Sequence, residues 1–144
     1  MSGRVFQVLQ QMLKMRKDRS VAKSKMVKAE FDRVRTFNEQ IESYANEYES
    51  QWMSAAEKGD TVLQLQTQAS FGQKLRATAA SQLPEIQNLQ SQSKEALEKA
   101  QQDAERLKTL ENFIANRQRL KQKALDQQDE KSLEDVLQSR HRSS

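Results

Sequence analysis

Gly59-Asp60-Thr61 is the short breaker between two long helical stripes, and its reading decides the fold. Gly59 suits the C′ position, where a left-handed backbone closes a helix. Asp60 or Thr61 can cap the next helix by offering a side-chain oxygen to its unpaired N–H groups. Apolar residues fall at matching distances on either side of this point. When the chain is folded there, positions whose numbers sum to about 119 face each other: Tyr48 with Phe71, Tyr44 with Leu75, Leu9 with Leu110 and Phe6 with Phe113. This register specifies an all-α fold, an antiparallel two-helix coiled-coil hairpin drawn out as a long rod. A rod has no interior for a pocket, which points to mechanical or partner-binding work and away from catalysis.

Helix one is expected over about residues 2–58. Phe6, Leu13, Ser20, Val27, Val34, Ile41, Tyr48 and Ala55 form its first seven-residue row. Leu9, Arg16, Lys23, Glu30, Phe37, Tyr44 and Gln51 form the second, apolar only toward its ends. Such a repeat makes helices supercoil around each other. The polar stretch from Arg16 to Lys25 weakens the seam and predicts local looseness. After a turn at 59–61, helix two is expected over about 62–124 or longer. Its stripe runs through Leu65, Phe71 or Ala69, Leu75, Ala79, Leu83, Ile86, Gln90, Ser93, Leu97, Ala100, Ala104 and Leu107, then drifts onto Leu110, Phe113, Ile114 and Leu120. Pro84 removes one backbone donor and clashes with the preceding turn, at a cost of about 3 kcal/mol. The stripe continues on both sides of it, so a kink is expected in place of a break. The small seam residues Ala96, Ala100 and Ala104 allow close approach but bury little area.

Residues 126–144 read as a polar tail of the same single domain. Leu133, Val136 and Leu137 can support two more turns, and the last residues, 139–144, are expected to fray. Counted from the breaker, residues past about 118 have no partner in helix one. The C-terminal region therefore overhangs the hairpin or forms a flexible tail.

Composition agrees with long helices. The chain has 144 residues, 31% charged and 35% hydrophobic, and a compact globule needs more apolar material than that. Its mean hydropathy is -0.95. Ala, Glu, Gln, Lys, Leu and Arg dominate, and all favour helix. The absence of cysteine excludes disulfides and thiolate metal sites. No apolar run approaches the ~20 residues of a membrane span. The first fifteen residues are amphipathic and lack a signal-peptide core. A cytoplasmic location is expected, or a peripheral one on the cytoplasmic side of the cell membrane. His141 is a lone histidine in the expected tail, and Asp126, Asp129, Glu130, Glu134 and Asp135 read as a solvated face. Carboxylates on an exposed rod are not tuned for acid–base work. No catalytic residue, metal or cofactor is expected.

The net charge of +4 is unevenly spread. Lys14, Arg16, Lys17, Arg19, Lys23, Lys25 and Lys28 stand against the single acid Asp18. A second cluster holds Arg117, Arg119, Lys121 and Lys123. In the hairpin register both lie toward the end that carries the termini. They form a solvated face, or a docking surface for an acidic partner or anionic lipid. The Lys14–Lys28 stretch can neutralise phosphates, but it has no aromatic residue for base stacking and its charges are spread around the helix. Nucleic acid is not an expected partner.

Asn46-Glu47-Tyr48-Glu49-Ser50 near the end of a long first helix, with Phe71 and Leu75 soon after a short break in a Gln-rich second helix, resembles the flagellar export protein FliJ family. The similarity covers most of the chain in length and layout. It implies a stalk-like antiparallel coiled coil of the flagellar type III export apparatus. Such a protein inserts into the ring of the export ATPase FliI, promotes its assembly, contacts the export-gate protein FlhA and interacts with export chaperones. It implies that Phe71 and Leu75 match the aromatic and aliphatic gate-binding positions. Thr78 and Gln82 occupy the next two such positions, where the family carries a small apolar residue and a histidine. The plain alternative is that Phe71 and Leu75 are seam residues facing Tyr48 and Tyr44. Phe71 falls about 17 Å along the helix from the turn, in a rod of about 80 Å. The basic end would then serve the ATPase ring, through Arg16, Lys17, Arg19, Lys23, Arg117 and Arg119. The chain is expected to be a monomeric hairpin.

Other readings are the stalk of a virulence-type injectisome, a helical-hairpin holdase chaperone, and a basic coiled coil on membranes or nucleic acid. A holdase needs an exposed apolar groove, which the polar second row argues against.

Overall fold

Helix α1, Gly3–Glu57, ends in a hydrogen-bonded stop built around Gly59. Gly59 has φ +79°, its N–H donates to the Ala56 carbonyl at 3.3 Å, and the Asp60 N–H donates to the Ala55 carbonyl at 3.0 Å. These two bonds make a Schellman motif, which satisfies carbonyls that the helix end leaves open. Helix α2, Val62–Ser143, starts at once. Of the two expected caps Thr61 is the one used: its Oγ1 accepts from the Gln64 N–H at 3.3 Å, and its carbonyl takes the first helical bond from Leu65 at 3.1 Å. The computed structural model describes residues 3–143, with the backbone alone at Ser143. The expected start of helix one at Ser2 and the end of the tail at Ser144 lie outside the described residues.

The two helices pack against each other, and the fold is an all-α antiparallel hairpin. Its residues group into two compact units, Arg19–Ala100 on one hand and the residues up to Asp18 with those from Gln101 onward on the other. The division falls inside the polar stretch where the sequence predicts a weak seam, although Ser20 there is buried.

In the unit of residues 19–100, the Tyr48 and Phe71 rings lie 4.7 Å apart at 54°. Asn38 Nδ2 donates to the Ala79 carbonyl at 2.8 Å and to Gln82 Oε1 at 3.3 Å. A buried asparagine in a seam pins register because a slip leaves its amide unpaired. In the terminal unit, the Phe6 and Phe113 rings lie 5.5 Å apart at 49°, and the Arg117 guanidinium sits 4.8 Å above the Phe6 ring. Both ring pairs obey the register read from the turn.

The first row of α1, from Phe6 to Ala55, is buried or half-buried at every position. The second row is displaced by one residue from the sequence expectation. Leu9, Arg16, Lys23, Phe37, Tyr44 and Gln51 are exposed, and Glu30 is half-buried; Gln10, Lys17, Ser24, Phe31, Asn38 and Ala45 form the covered row. Steps of three and four both stay near a facing helix. Here the step of four brings Phe31 and otherwise small or polar residues inward, and the bulky Phe37 and Tyr44 remain on the flank. Helix α2 repeats the displacement: Leu83, Gln90 and Leu97 are exposed, and Gln82, Leu89 and Ala96 are covered. The core is thin. Ala45, Ala79, Ala100 and Ala55 are buried, joined by Val34, Ile41 and Leu107.

Helix α2 runs unbroken through Pro84 and on through the residues read as a polar tail, including residues 139–143, which the sequence predicts to fray. Residues 118–142 are helical and exposed throughout, so the C-terminal region is a helical overhang. Helix-favouring Gln, Lys, Leu and Glu residues without a breaker sustain it. Arg140, His141 and Arg142 in the last turn complement the negative end of the helix dipole.

Asp103 is 3% exposed in the terminal unit, where its number places it opposite Lys17. Its Oδ1 is 4.0 Å from Arg106 Nη1, and its Oδ2 has no hydrogen-bond partner. Replacing a buried charge by a well-packed apolar residue is often neutral or stabilising by about 1–4 kcal/mol. Asp103→Leu is therefore expected to raise the melting temperature followed by circular dichroism. A lower melt would show that the carboxylate is fully compensated in the fold.

Candidate functional site

Phe71, Leu75, Thr78 and Gln82 share one face of α2, because steps of three and four residues keep to one side of a helix. They are not equivalent in the structure. Phe71 leans on Tyr48 yet is 45% exposed, which leaves part of the side chain open to a partner. Leu75 is half-buried in the seam. Thr78 is exposed, and its hydroxyl donates to the Lys74 carbonyl of its own helix at 2.9 Å. Gln82 is half-buried and accepts from Asn38. The face is thus an exposed aromatic beside a seam leucine; on α1, Tyr44 and Phe37, four and eleven residues before Tyr48, are also exposed.

The basic residues divide between the two units. Arg16, Lys17, Arg117 and Arg119 belong to the terminal unit, and Arg19 and Lys23 to the other. Arg16, Arg19, Lys23 and Arg119 are exposed. Lys17 and Arg117 are half-buried and have structural work: Lys17 lies at a seam position with its ammonium 3.7 Å from Asp18, and Arg117 covers Phe6. Beyond the basic stretch, Glu30 and Arg33 form a surface pair at 2.6 Å. The Arg33 hydrogen bond holds the Glu30 carboxyl below its usual range, but an exposed pair of this kind adds little stability.

Sequence reasoning missed a second apolar surface. Val5, Val8, Met12 and Met15 are exposed at helical spacing along α1, outside the seam row of Phe6 and Leu13. Leu120, Leu125, Leu133, Val136 and Leu137 are exposed on the α2 overhang. The signal was the surplus of apolar residues near the termini beyond what one seam can bury. Contiguous exposed apolar residues of this kind mark interaction surfaces. Among the described residues, no group of three or more His, Asp or Glu side chains has a metal-binding arrangement, and no helix is long and apolar enough to cross a membrane.

These features define a two-helix coiled-coil protein whose distinguishing surfaces are apolar and basic patches on the outside of the helices. The family model described as flagellar FliJ protein matches residues 2–144, and the chain belongs to that family of flagellar export-related coiled-coil proteins. Comparison with curated proteins and with solved structures gives no match.

Proposed function

We propose that this chain is the stalk of the flagellar type III export ATPase. In this reading its terminal unit enters the ring of the export ATPase FliI and promotes ring assembly, and its 19–100 unit binds the export-gate protein FlhA. The observation that carries the reading is the family match along essentially the whole of a two-helix hairpin. Exposed Arg16 and Arg119, with Arg19 and Lys23, supply cations for an acidic ring lining. The overhang of α2, with Leu120, Leu125, Leu133, Val136 and Leu137 exposed, offers an apolar helix surface to the lining of a narrow bore. Phe71 and Leu75 provide the anchor for the gate, with Thr78 and Gln82 beside them. Export chaperones are further partners in this reading, and the location is cytoplasmic and peripheral to the membrane apparatus. The hairpin works as a monomer.

Size-exclusion chromatography with light scattering tests the first half of the proposal. Adding the chain to the purified ATPase with nucleotide should shift the enzyme toward a hexamer that retains the chain. An ATPase whose size and turnover are unchanged by a stoichiometric excess of the chain would overturn the ring assignment.

A further inference from the structure

Helix α1 carries a second apolar row besides its seam. Val5, Val8, Met12 and Met15 follow one another at steps of three, four and three residues, and each is between 42% and 58% exposed. That alternation is the seam spacing of a coiled coil, in which steps of three and four keep a row turned toward a facing helix. The row therefore suits a helix. It is not α2 of the same chain, because the seam uses Phe6, Gln10, Leu13 and Lys17. Arg4 and Arg16 border the row, and α1 holds no acid before Asp18.

The overhang of α2 is the chemical complement of this row. Leu125, Leu133, Val136 and Leu137 lie to one side of it with Asp126, Asp129 and Glu130, since steps of three, four, seven and eight residues return to one face. From residue 126 to residue 137 the helix carries Asp126, Asp129, Glu130, Glu134 and Asp135 against Lys131. All of these side chains are exposed. The lengths agree: Val5 to Met15 covers about 15 Å of helix, and Leu125 to Leu137 about 18 Å. Among the described residues, Arg4, Arg16, Asp129, Glu130, Glu134 and Asp135 form no ion pair. One segment is apolar and basic, the other apolar and acidic, and both belong to the terminal unit. In the hairpin register residues past about 118 lie beyond the start of α1, and α2 is unbroken, so the overhang does not fold back on its own chain.

We propose that the row takes the overhang of a second copy of this chain. Two terminal units meet end to end, and the overhang of each lies along Val5, Val8, Met12 and Met15 of the other. The contact is isologous: both copies use the same two segments, so it is made twice and closes as a pair. Leucine and valine of the overhang cover the row, and Arg4 and Arg16 meet the carboxylates around Asp129 and Glu130. Pairing removes from water apolar surface that a lone chain leaves exposed. A partner that takes the terminal unit must displace the second copy, so the pair is the free form of the chain and the monomer its bound form. The proposal does not rest on the gate or ring assignments, and its test uses the chain alone.

Analytical ultracentrifugation of the full chain over a range of concentrations should show a monomer–dimer equilibrium. Pairing should be weaker at about 1 M salt than at about 0.1 M, because attraction between exposed charges is screened. Val8→Gln with Met12→Gln, and separately Leu133→Gln with Leu137→Gln, should each raise the dimer dissociation constant by about tenfold or more. All four residues are exposed and outside the seam, so helicity by circular dichroism should not change. Mixing the two double variants restores one intact contact, and the mixture should pair more tightly than either variant alone. A chain that stays monomeric at every soluble concentration, species larger than a pair, pairing unaffected by either double variant, or a mixture no tighter than its components each overturns the proposal. So does a monomeric chain that cosediments with phosphatidylglycerol vesicles and loses them on Val8→Gln with Met12→Gln, which would give the row to a membrane surface.

Discussion

Phe71→Ala is expected to weaken binding of the cytosolic domain of FlhA at least tenfold while leaving the hairpin folded. Buried aromatic anchors carry about 2 kcal/mol or more at interfaces, and about 1.4 kcal/mol corresponds to a factor of ten. The side chain is 45% exposed, so nearly half of its surface is available to a partner while the rest is covered by the fold. What the fold loses is the tilted contact with Tyr48, worth about 0.5–1.5 kcal/mol beyond area burial. Leu75→Ala makes the contrasting case. Leu75 is half-buried in the seam, and truncating a core leucine costs about 2–5 kcal/mol, so its effects on binding and melting are expected to travel together. Circular dichroism melts and gate-domain affinity, measured on both variants, separate the two roles. Affinity unchanged in Phe71→Ala, or lost only in step with its melting, returns Phe71 to a purely structural role.

The second large effect is electrostatic. Reversing Arg16, Arg19, Lys23 and Arg119 to Glu is expected to abolish most of the chain's stimulation of the export ATPase. Each reversal changes the charge by two, so four of them carry the formal net charge from +4 to -4. All four residues are exposed, which makes the variant a test of docking with little consequence for the seam. Lys17 and Arg117 are left in place because the first sits in the seam and the second covers Phe6. Attraction between exposed charges is screened over about 10 Å at 0.1 M salt and about 3 Å at 1 M. Stimulation by the unaltered chain should therefore fall as salt rises, and the variant should resemble the unaltered chain at high salt. Full stimulation by the variant at low salt would remove these residues from the ring interface.

The fold was legible because one breaker set the register. A single interruption at Gly59, with aromatic residues at matched distances on both sides, leaves few ways to bury the stripe. The Tyr48–Phe71 and Phe6–Phe113 contacts follow from counting alone. The second row was less legible, because apolarity favoured Leu9, Phe37 and Tyr44 while the seam takes Gln10, Asn38 and Ala45. Steric fit decided that choice: small residues let two helices approach, and Asn38 is admitted because its amide finds Ala79 and Gln82. The sequence leaves the end of α2 open between an overhang and a flexible tail, because polar composition resembles a tail when no seam marks it; the helix continues to Ser143. Of the positions proposed for gate binding, the shared helix face follows from spacing, and the structure separates exposed Phe71 and Thr78 from half-buried Leu75 and Gln82.

Linkage of ring and gate through one chain is the central claim, and sedimentation of a three-component mixture tests it most directly. The ATPase with nucleotide, the cytosolic domain of FlhA and the full chain are mixed and followed by analytical ultracentrifugation with a separate label on each. The account predicts a species carrying all three labels, with the gate domain lost from it on Phe71→Ala and the ATPase lost on the fourfold charge reversal. Two separate complexes that exclude each other, with the chain bound to either partner but never to both, would contradict it.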